Sequence, residues 1–551
     1  MTQPADSRAG HGRDAPPSWL NSAAHRPERE ACMVATPAAG SGTEPADDGS
    51  TAKGVGLRSE RGPVLAAVML STGLVALDST IIATAVPSIV RDVGGFAQFP
   101  WLFSIYLLTQ AVTVPIYGKF ADSLGRKPVM FVGIALFLLG SILCGVAWSM
   151  PALIVARALQ GIGAGAVQPI SMTIVGDLYT VAERARVQGY LAAVWGTSAV
   201  LGPLLGGVLS EYLSWRWIFY INLPLGAVAA WMLARHFSER VTRSRHRVDY
   251  VGACLLTVGF GLLILGLLQG GVAWPWTSIQ SLTILVVGAA TLGAFIVVER
   301  RAADPVLPLW VFSRRALAGG SLTAVCIGAL SAGLNSYLPT YAEGVLGTDA
   351  LVAGFALAAM AIGWPLAAGT SGRIYLRIGF RDTALIGSVV VISGTALTTL
   401  LRPDSAVWAV AGAAFVIGVG LGLTTSPILV SVQSVVGWDR RGVVTGANMF
   451  SRSLGGAVGA GVCGAIANAT LASRLTPHAP AQAHAVPEYL DTTSLVLGGQ
   501  SGSVPPEAAA YVRAALYDAT HHVFITLAVL AVLVLGALLL MPRRSSHLSF
   551  E

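Results

Sequence analysis

The chain has 551 residues, 54% of them hydrophobic and 11% charged, with a formal net charge of +7. Soluble domains carry about 25% charged residues, so this is not the composition of a soluble enzyme or a nucleic-acid-binding module, and most of the chain is expected in lipid. The five cysteines, Cys32, Cys144, Cys254, Cys326 and Cys463, lack metal-ligand spacing and four of them fall in apolar runs, which argues against a disulfide framework and a metal site.

Residues 1–62 are rich in Pro, Ala, Gly, Ser and charge and hold no apolar run. They read as a disordered cytoplasmic tail rather than a signal peptide, with Met33 as a second candidate start. Apolar segments follow at about 63–88, 100–117, 128–148, 150–175, 187–209, 216–234, 250–269, 279–298, 317–342, 350–370, 383–401, 406–430, 444–468 and 521–541. Each is close to the ~20 residues that cross a bilayer as a helix, so the expected fold is an all-α integral membrane protein with fourteen transmembrane helices. An even count places both termini on one side. Of the 35 Lys and Arg, the loops of the opposite side hold only Arg91, Arg216, Arg402, Arg474 and Arg513, and this bias marks the richer side as cytoplasmic. Nearly all the bases are Arg, as in GC-rich bacterial genomes, and the expected location is a bacterial inner membrane.

Between the second and third segments lies Gly118-Lys119-Phe120-Ala121-Asp122-Ser123-Leu124-Gly125-Arg126-Lys127. These ten residues are expected to reverse the chain at the membrane surface, with Gly118 and Gly125 supplying the turn. A second copy, Gly372-Arg373-Ile374-Tyr375-Leu376-Arg377-Ile378-Gly379-Phe380-Arg381, carries Leu376 where the first has Asp122. Other features recur at a similar offset: Leu77-Asp78-Ser79 with Leu334-Asn335-Ser336, Gly161/Gly163/Gly165 with Gly418/Gly420/Gly422, and Gly189/Gly202/Gly207 with Gly446/Gly459/Gly464. The chain therefore divides into a six-helix half at 63–235, an inserted pair (helices 7 and 8) at 236–315, a second six-helix half at 316–541 and a tail at 542–551. The second half includes an outer loop at 470–520 with a short helix near 506–519. Duplicated halves pack around a path whose binding site lies near the midplane. The inserted pair, which has no repeat partner, belongs at the periphery.

Gly118–Lys127 resembles the loop between helices 2 and 3 of the major facilitator superfamily. Asp78 and its neighbours, Trp215–Pro224, and Gly202-Pro203-Leu204-Leu205-Gly206-Gly207 with Gly196 upstream resemble signatures of its fourteen-helix drug:proton antiporters. Ala83 and Ser198 depart from the usual Asn and Gly of those signatures. Arg157-Ala158-Leu159-Gln160-Gly161 is similar to the family's helix 4 motif. The resemblance implies that helices 1, 4, 9 and 12 line the path, that Gly196, Gly202, Pro203, Gly206 and Gly207 form an exporter motif, and that no cofactor is needed because a proton gradient supplies the energy. No Gly-x-x-x-x-Gly-Lys nucleotide loop occurs in the chain.

Asp78 is the expected proton carrier. Counting about 1.5 Å per residue from either end of helices 1 and 4 puts Asp78 and Arg157 at one depth, with Arg157 as the fixed partner. The basic loops, through Lys119, Asp122, Arg126, Lys127, Arg373 and Arg381, are expected to form a cytoplasmic gate. Gln110, Gln160, Gln168, Asn335 and Arg452 are candidates for the substrate path, although Arg452 has a structural reading as well. The expected activity is export of small hydrophobic or cationic compounds, drugs and antibiotics included, by a monomer that exchanges them for protons. The alternatives are a dedicated exporter of a lipid, siderophore or self-made metabolite and, more distantly, a membrane scaffold or receptor that does not transport.

Overall fold

The computed structural model describes residues 56–94, 101–239, 249–270, 274–302, 305–348, 350–475 and 506–543. The expected tails lie outside these residues except for 56–62, 542 and 543, as does 476–505 of the expected outer loop. Among the described residues, thirteen helices are long and apolar enough to cross a membrane, and Val251–Leu267 is a shorter apolar helix that makes a fourteenth.

In chain order the membrane helices are α1 (Gly62–Val93), α2 (Trp101–Leu124), α3 (Arg126–Gly145), α4 (Met150–Leu178), α5 (Val181–Tyr212) and α6 (Asn222–His236), the last entered through the short helix Trp217–Tyr220. Then come α7 (Tyr250–Gln269), α8 (Ile279–Glu299), α9 (Arg315–Gly344), α10 (Ala350–Ile378), α11 (Phe380–Thr399), α12 (Val407–Ser434), α13 (Arg441–Leu475) and α14 (Pro506–Leu539). Within the bilayer each backbone group must be satisfied inside its own helix, so pairing of these helices depends on side-chain packing and on close backbone approach at small residues.

The glycine repeats provide that approach. Gly161 and Gly165 of α4 face α2, while Gly163 faces α3, where a Cβ would stand 2.7 Å from the Gly133 carbonyl. In the second half, Gly418 and Gly422 of α12 face α10, and a Cβ on Gly420 would stand 2.8 Å from the Gly387 carbonyl of α11. The duplicated motif thus builds the same three-helix wedge twice.

The two copies of the basic stretch turn the chain more tightly than expected. Helix α2 runs through to Leu124 and α3 starts at Arg126, so the reversal is Gly125 alone, at φ +102°. Gly379 does the same between α10 and α11 at φ +96°. Gly118 takes no part in the turn. It lies inside α2, where a Cβ would stand 2.7 Å from the Gly442 carbonyl of α13, so its smallness serves contact between the halves.

Helix α14 begins about fifteen residues before the expected 521, and α13 extends past the expected 468, so the outer loop is shorter than 470–520. Hydropathy marks only the lipid-embedded part of such helices. Beyond it, polar contacts hold them together: Arg474 pairs with Asp518 at 2.7 Å, and the Tyr511 hydroxyl donates to the Arg474 carbonyl.

The inserted pair is split in its role. Helix α8 keeps Leu282, Val286 and Val297 exposed. Helix α7 lies over the seam where α2 meets α13: Ile264 packs with Ala111, Val112 and Ala457, and the Phe260 ring meets Phe450 edge-on at 4.4 Å.

Candidate functional site

Two polar clusters stand out. The first lies within the membrane. Asp78 of α1 is 1% exposed, and its carboxylate accepts three hydrogen bonds: from Arg157 Nη1 at 2.6 Å, from Gln160 Nε2 at 2.8 Å and from Asn222 Nδ2 at 3.1 Å. Arg157 also donates to the Leu102 carbonyl at 3.3 Å, and its guanidinium carbon lies 4.2 Å from the Tyr106 ring centre. Gln160 continues to Ser141 of α3 at 2.8 Å. Both carboxylate oxygens thus meet donors, one of them a guanidinium, an arrangement that offsets the cost of polar groups in lipid.

The cluster joins α1, α2, α3, α4 and α6 inside the first half. Gln160, expected on the path, is fully buried within it and faces α3, because Gly140 admits α4 closely at that level. Gln110 and Gln168 meet each other at 3.1 Å across α2 and α4. Asn335, at the repeat position of Asp78, is exposed, and Arg452 is half-buried. Ser141 is not singled out by the sequence, and Asn222 only as part of the Trp215–Pro224 resemblance, because a lone Ser in an apolar helix and an Asn beside a Leu-Pro step carry no signal of a site.

The second cluster closes the end that bears the basic loops. Asp122 accepts from the backbone N–H groups of Gly442 at 2.9 Å and Val443 at 2.7 Å, at the first turn of α13. A carboxylate at a helix N-terminus meets unsatisfied donors and a favourable dipole. Arg126 is fully buried, not solvated as a loop base would be. It pairs with Asp122 at 3.0 Å and Asp177 at 2.9 Å, and its guanidinium carbon stacks 3.8 Å from the Trp438 ring centre. Arg441 pairs with Asp177 at 3.0 Å from the other half. Glu239 caps the start of α3, accepting from the Arg126 and Lys127 N–H groups at 3.0 Å each, while Lys127 Nζ donates to the Phe237 carbonyl at 2.5 Å.

Among the described residues the second copy forms no such network. Arg373, Arg377 and Leu376 are exposed, Arg381 is half-buried, and Tyr375 is buried, its hydroxyl donating to the Val181 carbonyl of α5 at 2.7 Å. Gly372 is buried in α10 and Lys119 is half-buried in α2. Of the expected exporter motif, Gly196 faces the Ala361 carbonyl of α10, 2.7 Å from where a Cβ would stand, and Gly202 faces Thr80 of α1. Pro203 and Gly206 lie in α5 with them, and Gly207 has open space beside it.

The opposite end of the first half is tied by Asp92, which accepts from Arg216 at 2.7 Å and Trp215 at 3.0 Å. The hydrogen bond from Arg216, then that from Trp215, hold the Asp92 carboxyl below its ordinary value. A group whose folded pKa is depressed stabilises the fold above its unfolded pKa of about 3.9 and loses that contribution as pH falls through the folded value. Melting temperature followed downward from pH 5 should therefore drop more steeply for the native chain than for Asp92→Asn. Parallel curves would show that this tie contributes nothing.

Fourteen membrane helices in two wedge-bearing halves, a buried charge pair in one half and a polar latch between the halves define a multi-pass membrane transporter. The family model described as Major Facilitator Superfamily matches residues 68–460, and the chain belongs to that family. It is 32% identical over 518 residues to the multidrug transporter protein MdtP of Bacillus subtilis, covering 90% of this chain and 96% of that one. It is also 32% identical over 427 residues to the rubrofusarin-specific efflux pump aurT of Gibberella zeae, covering 75% of this chain and 78% of that one. Among solved structures it resembles the human organic anion transporter MFSD10, with a TM-score of 0.58 at 16% identity, over 87% of this chain and 99% of that one, a likeness of fold.

Proposed function

We propose that this chain is a proton-coupled antiporter that exports small, largely apolar compounds, drugs and antibiotics among them, by alternating access. It works as a monomer in a bacterial inner membrane with both termini in the cytoplasm, and the latch at the basic end is its closed cytoplasmic gate, so the conformation is outward-facing. The observation that carries this reading is the Asp78–Arg157 pair, a titratable carboxylate deep in the membrane whose partner cannot release its own proton. A carrier must hold its carboxylate ionised in one conformation and desolvated in another. Pairing favours the first state, and separation from Arg157 favours the second. The multidrug relative supports drugs as cargo. The rubrofusarin-specific relative supports a second reading, a pump dedicated to one metabolite made by its own cell.

The test is accumulation of a panel of fluorescent apolar compounds, neutral, acidic and basic, in efflux-deficient bacteria expressing the chain, with and without a protonophore. Export of several compounds that the protonophore abolishes is expected. Export insensitive to the protonophore would overturn proton coupling, and export of a single compound class would favour the dedicated pump.

A further inference from the structure

Three charged side chains lie well inside the described membrane spans: Asp78, Arg157 and Arg452. The first two neutralise each other. Arg452 makes no hydrogen bond or ion pair through its side chain among the described residues. It stands eleven positions after the start of α13 at Arg441, about 16 Å into a core of about 30 Å, near the midplane. A guanidinium facing hydrocarbon there costs about 2.5–3.5 kcal/mol on insertion scales. Helical spacing shows where it turns instead. Gly455 and Gly459 of α13 lie against Val325 and Ala329 of α9, while Gly442 and Gly446 lie against Gly118 of α2. Arg452 falls on the arc between those two contact faces, toward the space between the halves. Its side chain is only half-buried, where Arg157 is 1% exposed. A partly open side chain at that depth and on that arc borders the space between the halves.

Among the described residues, Arg452 is thus a fixed positive charge in that space without a protein counter-charge. We propose that Arg452 is an anion-binding subsite of the transport path, and that the transported molecules carry a carboxylate, sulfonate or similar acidic group on an apolar body. This keeps the apolar body expected from the sequence but replaces its cationic option with an acidic group, and it rests on reading the space between the halves as the transport path. The planar fork of Arg suits such oxyanions, giving two parallel hydrogen bonds. The same helix supplies, at Gly442 and Val443, the N–H groups that Asp122 latches, so an anion bound at Arg452 acts on the element that the gate holds.

The experiment is equilibrium dialysis of the full chain in lipid nanodiscs against 8-anilinonaphthalene-1-sulfonate, an apolar anion, and ethidium, an apolar cation, with empty nanodiscs as the blank. The native chain should bind the sulfonate and Arg452→Gln should bind it at least tenfold more weakly, as expected for loss of a charged hydrogen bond. Arg452→Lys should retain binding within about threefold of native, because the charge remains. Ethidium binding should stay level or tighten in Arg452→Gln, which also shows that the variant is folded. Absence of sulfonate binding by the native chain, equal sulfonate binding by native and Gln variant, or equal weakening of both dyes in the Gln variant would overturn the subsite. Dialysis needs no gradient, so a failure of proton-driven export leaves this result standing, and the reverse holds too.

Discussion

Asp78→Asn is expected to abolish the substrate gradient that a protonophore collapses, while binding of substrate survives. The substitution keeps the shape of the side chain and removes the site that titrates. In the native chain the carboxylate is held by Arg157, Gln160 and Asn222 at 2.6, 2.8 and 3.1 Å, and an amide offers them one acceptor oxygen without charge. Arg157 is then left buried and uncompensated, which costs about 3–5 kcal/mol when one partner of a buried pair is removed. Loss of transport through misfolding must therefore be separated from loss of coupling. The double variant Asp78→Asn with Arg157→Gln removes the orphan charge, and it should recover protein level and melting temperature without recovering gradient formation. If either variant still built a gradient sensitive to the protonophore, Asp78 would not be the coupling group.

The second large effect is expected at the gate. Asp122→Asn should lower transport per molecule several-fold, with membrane levels of the protein little changed. Asp122, in the last turn of α2, holds the first turn of α13 by two backbone hydrogen bonds of 2.9 and 2.7 Å, and hydrogen bonds to a charged group contribute about 1.5–3 kcal/mol each. Those bonds join the two halves, so their loss shifts the balance between conformations more than it loosens either half. The matching Leu376 is exposed and forms no latch, so Leu376→Ala should leave transport unchanged. Transport per molecule equal to native in Asp122→Asn, measured against immunoblotted membrane protein, would remove the latch from the mechanism.

Much of this architecture was legible in the sequence because lipid simplifies the code. Apolar length locates the spans. A helix rises evenly, so counting residues from Pro63 and from Pro151 set Asp78 and Arg157 at one depth, and they meet at 2.6 Å. Glycines three or more to a helix mark close packing, as Gly161, Gly163 and Gly165 do. What stayed hidden depends on direction around a helix axis or on partners far along the chain. Gln160 is one turn from Arg157 and turns to Ser141 rather than to the path, which no spacing rule distinguishes from the opposite. Arg126 reads as a surface base because its neighbours in sequence are polar. It is buried because Asp177, Glu239 and Trp438, from three separate segments, close over it. Gly118 looks like a turn residue for the same reason, since the backbone of Gly442 that it accommodates lies in the other half.

The placement of α7 across the α2–α13 seam gives the transporter a handedness toward its membrane. On that flank, the Phe260–Phe450 contact and the packing of Ile264 stand between the bilayer and the crossing of the two halves. On the other flank, where α5 crosses α10, Val200 and Leu204 on one helix and Ile362 and Leu366 on the other remain exposed. A molecule already dissolved among the acyl chains therefore meets two unlike sides, one shuttered and one bare.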